Sequence, residues 1–341
     1  MKKVFGKSPD GKEVYLFTLK NKNGVEIQVT NFGGIVHSLK VPDYAGKLDD
    51  ILLGFNDFEG YLSSENPYFN SIIGRFGNRI GKGRFNLDGK EYHLAINNGP
   101  NHLHGGIKGF DKVVWDAEEI LTAEDTGLVL NYLSSDGEEN YPGNLKVRVI
   151  YLLSENNEFI IRYYAETDQA TPVNLTHHAY FNLDGKDNVL GHQVQINASK
   201  YTSVDKDLIP TGENPDVDGT PFDFRKLKPI GLHIEAIGMG YDHNFVLDGS
   251  GLRKVAEVVE PQSKRKMEVF TTSPGMQFYT GNYLNENILG KKQGGYHKHD
   301  AFCFETQFFP DSPNKPMFPS CILRPGEKFE QETRYKFSVN S

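Results

Sequence analysis

Val25-Glu26-Ile27-Gln28-Val29-Thr30 alternates apolar and polar side chains at every step. Successive side chains of an extended chain point to opposite faces, so a period of two marks a strand with one face buried. The same period recurs along the chain. Phe85 and Leu87 lead into Asp88-Gly89, and Tyr92 and Leu94 follow it. Asp-Gly tolerates the positive φ angles of a two-residue turn, so this stretch reads as a hairpin. Val147, Val149 and Tyr151 alternate, as do Ile161, Tyr163 and Ala165, and the runs 193–198 and 267–271 read as further strands. Long helical periodicity is scarce. The 35 glycines and 17 prolines punctuate the chain at short intervals, as a many-stranded protein requires. The expectation is a mainly β fold, one large antiparallel β-sandwich, with residues 1–341 as a single domain. Length alone would favour two domains, but sandwiches absorb chains of this size. The proline-rich stretch 310–319 is short enough for an ordered loop.

The chain is 38% hydrophobic and carries a formal net charge of −8. A nucleic-acid binder ordinarily shows a basic patch. Only short basic runs occur, such as Lys264-Arg265-Lys266, which reads as a solvated turn. No apolar run approaches the ~18–20 residues of a membrane span. Lys2 and Lys3 are followed by no apolar stretch, so no signal peptide is expected. Neither nucleic acid nor membrane is therefore an expected partner. Cys303 and Cys321, the two cysteines, read as reduced core residues of a cytoplasmic protein.

Polar residues crowd five segments: 74–80, 101–106, 174–182, 241–245 and 302–307. If 301–308 is a strand, Phe302, Phe304 and Phe308 share one face and Cys303, Glu305 and Gln307 the other. Glu305 then stands on a sheet rather than on a loop. By the same alternation Asn174, Thr176, His178 and Tyr180 share a face, while His177 falls with Leu175, Ala179 and Phe181. His178, with polar neighbours, is the working histidine of the pair. Taken singly, His104, His178 and Glu305 are more often structural or surface residues than functional ones, and Arg75, Arg79 and Asp242 read equally as surface or turn residues. His102-x-His104 and His297-x-His299 each put two imidazoles on one strand face, with Glu305 a candidate third metal ligand. No carboxylate follows His104 closely to complete such a motif, and no metal is expected. Gly105-Gly106 lacks the lysine of a phosphate loop, so no nucleotide cofactor is expected either.

Together these segments resemble the galactose mutarotase, or aldose 1-epimerase, family. The matching motifs are Gly-Arg-Phe-Gly-Asn-Arg-Ile (74–80), Asn-His-Leu-His-Gly-Gly (101–106) and Asn-Leu-Thr-His-His-Ala-Tyr-Phe-Asn-Leu (174–183). Tyr-Asp-His-Asn-Phe (241–245), Pro-Gly-Met-Gln-Phe-Tyr-Thr-Gly-Asn (274–282) and Phe-Cys-Phe-Glu-Thr-Gln (302–307) follow in the family's order. The resemblance implies a β-sandwich with an open carbohydrate groove, a small monosaccharide substrate, and no cofactor or metal. By position Glu305 resembles the general base, His178 the general acid and His104 the second active-site histidine. Asn78, Arg79, Asp242 and Gln277 resemble the residues that hold the sugar hydroxyls. His177 stands where the family often has Asn or Gly. The resemblance implies no role for Arg75, His102, His297 or His299.

The implied reaction interconverts the α and β anomers of free hexoses such as galactose and glucose. Opening a cyclic hemiacetal removes a proton from O1 and delivers one to ring oxygen O5; closure reverses both. An ionised Glu305 and a protonated His178 suit those steps, with the nearby carboxylate expected to raise the histidine's pKa. The alternatives are a non-catalytic sugar-binding or sugar-sensing protein on the same fold, and a metal-dependent or phosphosugar isomerase. The last should show an Arg or Lys cluster at the groove, and none is legible.

Overall fold

The computed structural model describes residues 2–121, 125–186 and 188–340. The alternating stretches become strands with the expected faces. Val25, Ile27 and Val29 are buried, and Glu26 and Gln28 are only partly so, on the strand Glu26–Thr30. Arg84–Leu87 and Lys90–His93 form the hairpin, with φ of 51° at Asp88 and 80° at Gly89, the left-handed pair that the Asp-Gly signal anticipates.

Two large antiparallel sheets form the frame. A five-stranded sheet runs Lys2–Lys7, Glu13–Lys20, Glu26–Thr30, Val36–Pro42 and Leu48–Asp50 in simple succession. A nine-stranded sheet is centred on Glu158–Thr167 and Phe329–Val339, so the C-terminal strand bridges its two halves. A four-stranded sheet packs with them: Ala198–Tyr201, Asp242–Leu247, Gly275–Tyr279 and Cys303–Gln307, each antiparallel to the next. Ile27 and Val29 of the first sheet, Val149 and Ile161 of the second, and Phe245, Phe278 and Phe304 of the third lie in one buried hydrophobic cluster. That cluster makes one face of the four-stranded sheet dry and leaves its other face for polar residues.

Three sequence readings need correction. Lys264 does turn, with φ 55°, but Arg265 is buried rather than solvated. Its guanidinium donates to the Val41, Leu183 and Lys47 carbonyls at 2.9–3.1 Å and pairs with Asp49 at 2.9 Å. Five donors on one rigid fork let a charge enter the interior when carbonyls surround it. Arg75 and Arg79 are likewise buried, not surface charges. The run 174–180 is not a continuous strand. Only Thr176–His177 pairs, with Ile72–Ile73, although the alternation of faces holds. The stretch 310–319 is an ordered loop with a short 3-10 turn at Ser312–Asn314, and both cysteines are buried and unpaired. Among the described residues no helix is long and apolar enough to cross a membrane.

Candidate active site

The polar face of the four-stranded sheet is the floor of the site. Register puts Asn244 opposite Gln277 and Gln277 opposite Glu305, and Asp242 two residues from Asn244 shares their face. These side chains form a chain of contacts. Gln277 Nε2 donates to Asp242 Oδ1 at 2.7 Å, and Gln307 Nε2 donates to Gln277 Oε1 at 3.3 Å and to Asn244 Oδ1 at 3.2 Å. Arg79 reaches Asp242 from the opposite side, Nη2 to Oδ2 at 3.8 Å, while its Nε donates to Asn98. Arg79 is positioned by the short ladder that pairs Arg79–Ile80 with His102–Leu103.

The two histidines come from loops that meet over this floor. The His178 amide donates to the Ser71 carbonyl, and its carbonyl accepts from Asn70, each at 3.0 Å. Its ring stacks on Tyr180, 4.9 Å between centroids and 14° from parallel. Nε2 lies 3.6 Å from Glu305 Oε1, too long for a hydrogen bond, and Glu305 Oε2 is buried without a partner. The imidazole and the carboxyl therefore face one another across a gap. His104 has φ 52° and its ring meets that of His178 edge-on at 5.2 Å. Its Nδ1 accepts the Asn78 amide at 3.1 Å. A backbone amide only donates, so Nδ1 carries the lone pair and neutral His104 presents an N–H at Nε2. Side-chain donor atoms of His104, His178 and Glu305 all lie within 4.8 Å of one another.

Burial sets the electrostatics. Desolvation pushes Glu305 well above the usual carboxylate range; Asp242 adds to this and Arg79 opposes it. Desolvation also lowers His178 to about 4 and holds His104 well below the usual imidazole range. The expected rise in the His178 pKa is therefore reversed. Both partners are almost fully buried, and the cost of stripping water from an imidazolium outweighs the attraction of the Asp242 carboxylate. Burial therefore favours a neutral imidazole together with a protonated Glu305 carboxyl, one proton for the pair.

The structure thus brings all seven sequence-derived candidates together: Glu305, His178, His104, Asn78, Arg79, Asp242 and Gln277. The remaining candidates fall elsewhere. Arg75 donates to the Pro142 and Gly143 carbonyls and to Ser134, as a buried structural clamp. Both ring nitrogens of His102 are engaged, by the Ala95 carbonyl and the Tyr141 hydroxyl. His299 bonds the Thr280 carbonyl, and the His297 amide bonds Asp300. His177 packs against Tyr151 and Phe159, on the core side as its alternation predicts. Asn244 and Gln307 lie in the polar segments without a distinguishing signal of their own; cross-strand register and hydrogen bonds link them to the site. Tyr68, whose ring contacts both active-site imidazoles, lies outside every motif and had no sequence signal.

A β-sandwich whose polar sheet face gathers a buried carboxyl, two imidazoles and the linked Asp242, Arg79 and Gln277 has the form of a sugar epimerase. The chain belongs to the aldose 1-epimerase family, whose profile matches residues 15–336. Among its relatives are the galactose mutarotases of Homo sapiens and Bos taurus, 48% and 47% identical and aligned over 98% of both chains in each case. The solved structure of galactose 1-epimerase from Lactobacillus acidophilus NCFM superposes with a TM-score of 0.89 at 29% identity, covering 100% of this chain and 99% of that one. The chain is an isomerase that interconverts sugar anomers, which sets the purely sugar-sensing alternative aside.

Proposed function

We propose that Glu305 and His178 carry the anomer interconversion of free hexoses as a one-proton pair, and that the gap between them receives the C1 end of the sugar. The observation that carries this is the buried 3.6 Å approach of His178 Nε2 to Glu305 Oε1, with Glu305 Oε2 unpartnered. O1 and O5 are both bonded to C1, so one carbon brings both reacting oxygens to the pair. When O1–H donates to the carboxylate and O5 accepts from the imidazolium, those bonds favour the charge-separated tautomer. Glu305 then takes the O1 proton and His178 gives its proton to O5, which breaks the C1–O5 bond. The pair is left with neutral imidazole and protonated carboxyl, the form that burial favours. Rotation about C1–C2 and return of both protons close the ring on the other face of the carbonyl.

His104 supplies a neutral N–H donor beside the reacting end. Asp242, with Arg79, Asn78 and Gln277, holds the remaining hydroxyls: the carboxylate accepts from two neighbouring OH groups and the guanidinium donates a planar fork. A metal-free mechanism is supported by the His104 tautomer. Its Nδ1 lone pair is taken by Asn78 and its Nε2 carries hydrogen, which leaves no lone pair for a cation. The whole chain is read as one domain, supported by a core cluster that runs from Phe17 to Phe337, in a reducing, cytoplasmic setting, supported by the two unpaired cysteines.

Polarimetry of freshly dissolved α-galactose and α-glucose tests this. Mutarotation should accelerate with enzyme and be unchanged by EDTA. Loss of activity in chelator that a divalent ion restores would overturn the metal-free mechanism.

A further inference from the structure

One aromatic side chain beside the acid–base cluster has no part in the chemistry above. Tyr68 has φ 65°, a left-handed conformation that a bulky residue keeps only where its surroundings hold it. Its ring meets His104 edge-on at 4.7 Å between centroids and lies 20° from parallel to His178 at 6.2 Å. One ring therefore touches both imidazoles. The segment behind it is stitched to the same histidine. Asn70 donates to the His178 carbonyl, the Ser71 carbonyl accepts the His178 amide, and Asn70 Oδ1 accepts the Tyr180 amide. Lys112 Nζ stands 5.0 Å from the Tyr68 ring centroid and pairs with Asp111 at 2.5 Å. Tyr68 also lines a cavity of about 620 Å³ with Tyr61, Asn66, Asn97 and Lys112, so it separates the imidazoles from space that water can enter. Among the described residues nothing accepts a hydrogen bond from its hydroxyl, so the ring makes the contacts.

We propose that Tyr68 is a positioning residue whose ring fixes the imidazoles of His178 and His104 relative to each other and to Glu305. The role rests on the assignment of those histidines above. It acts on orientation and on water access, not on sugar binding.

The test compares Tyr68→Phe and Tyr68→Leu in the full-length protein, by polarimetry of α-galactose across pH. Tyr68→Phe should keep kcat within about twofold, because the ring is retained. Tyr68→Leu should lower kcat by about 10²-fold, the cost of roughly 1 Å of misplacement at a reacting group, with KM within about threefold. Its acidic limb should also move up in pH. Burial depresses His178, and water entering beside the missing ring relieves that burial. Asp242 on the floor then pulls the imidazole further up, against Arg79, Lys112 and the neighbouring His104 and His177; Glu305 is protonated over this limb, and Tyr180 and Tyr279 stay neutral. If the leucine variant does not fold, Tyr68→Met, of similar reach but without a flat ring, takes its place under the same criteria. Equal losses in the Phe and Leu variants would overturn the proposal, because the hydroxyl would then be the active part. Wild-type kcat and an unmoved acidic limb in Tyr68→Leu would also overturn it, provided Glu305→Gln and His178→Asn collapse. If those two kept turnover, the acid–base assignment would fall and Tyr68's role with it.

Discussion

Glu305→Gln should cost turnover while stabilising the fold. The amide keeps the size of the side chain and loses its basicity. A positioned general base contributes on the order of 10²–10⁴-fold, which is about 2.7–5.5 kcal/mol of transition-state stabilisation at 1.36 kcal/mol per tenfold. Polarimetry should show kcat reduced by that factor, while calorimetric titration shows sugar affinity largely kept. The stability effect has the opposite sign. Glu305 is 2% exposed and burial holds its pKa well above the ordinary range, so the fold opposes an ionisation that the unfolded chain undergoes freely at neutral pH. The stability it contributes is therefore present below about pH 4.3, the unfolded value, and is lost as pH rises through the folded value. Each tenfold displacement of that equilibrium costs about 1.4 kcal/mol. Glutamine has no such ionisation. At pH 8 the variant should gain about 1 kcal/mol or more, or about 1–3 °C in Tm for a chain of this size. The gain should shrink at pH 5. Thermal melts of both proteins at the two pH values decide it. Near wild-type kcat would remove Glu305 as the base. A variant several degrees less stable than wild type at pH 8 would show that the buried carboxyl supports the fold rather than opposing it.

The pH dependence of kcat/KM should be a broad plateau, not a narrow peak between ordinary Glu and His values. The one-proton pair gains a second proton near pH 4, where His178 titrates, and loses its only proton at the raised Glu305 value; both limbs belong to the coupled pair. A basic limb at the ordinary carboxylate value of about 4.3 would contradict the burial argument. Asp242→Ala should lower kcat/KM through lost charge-assisted hydrogen bonds, each worth ~1.5–3 kcal/mol. It should also move the basic limb down, because Asp242 helps to raise Glu305. Unchanged kinetics and an unmoved limb would remove Asp242 from the site.

Alternation of side chains is a property of the extended backbone alone, so it was readable without knowing what the strands pack on. It sufficed to place Val25, Ile27 and Val29 inside, to turn the chain at Asp88-Gly89, and to separate His178 from His177 and Glu305 from Phe304. The motifs that resemble the family named the seven residues that the fold then gathers. What the linear chain could not supply was the environment that distant segments create. Arg265 reads as one of three solvated cations, yet its donors meet the carbonyls of Val41, Lys47 and Leu183, more than 80 residues away. His102 and His104 look alike two positions apart; Tyr141 and Ala95 occupy one, and Asn78 holds the other beside His178 and Glu305. Tyr68 has no motif at all and becomes visible only through the two imidazoles that its ring touches. The direction of the His178 pKa shift is the reverse of the expected one for the same reason. Charge types are written in the sequence, but desolvation is set by how completely remote strands and loops exclude water. Only the assembled fold buries His178 and Glu305 together.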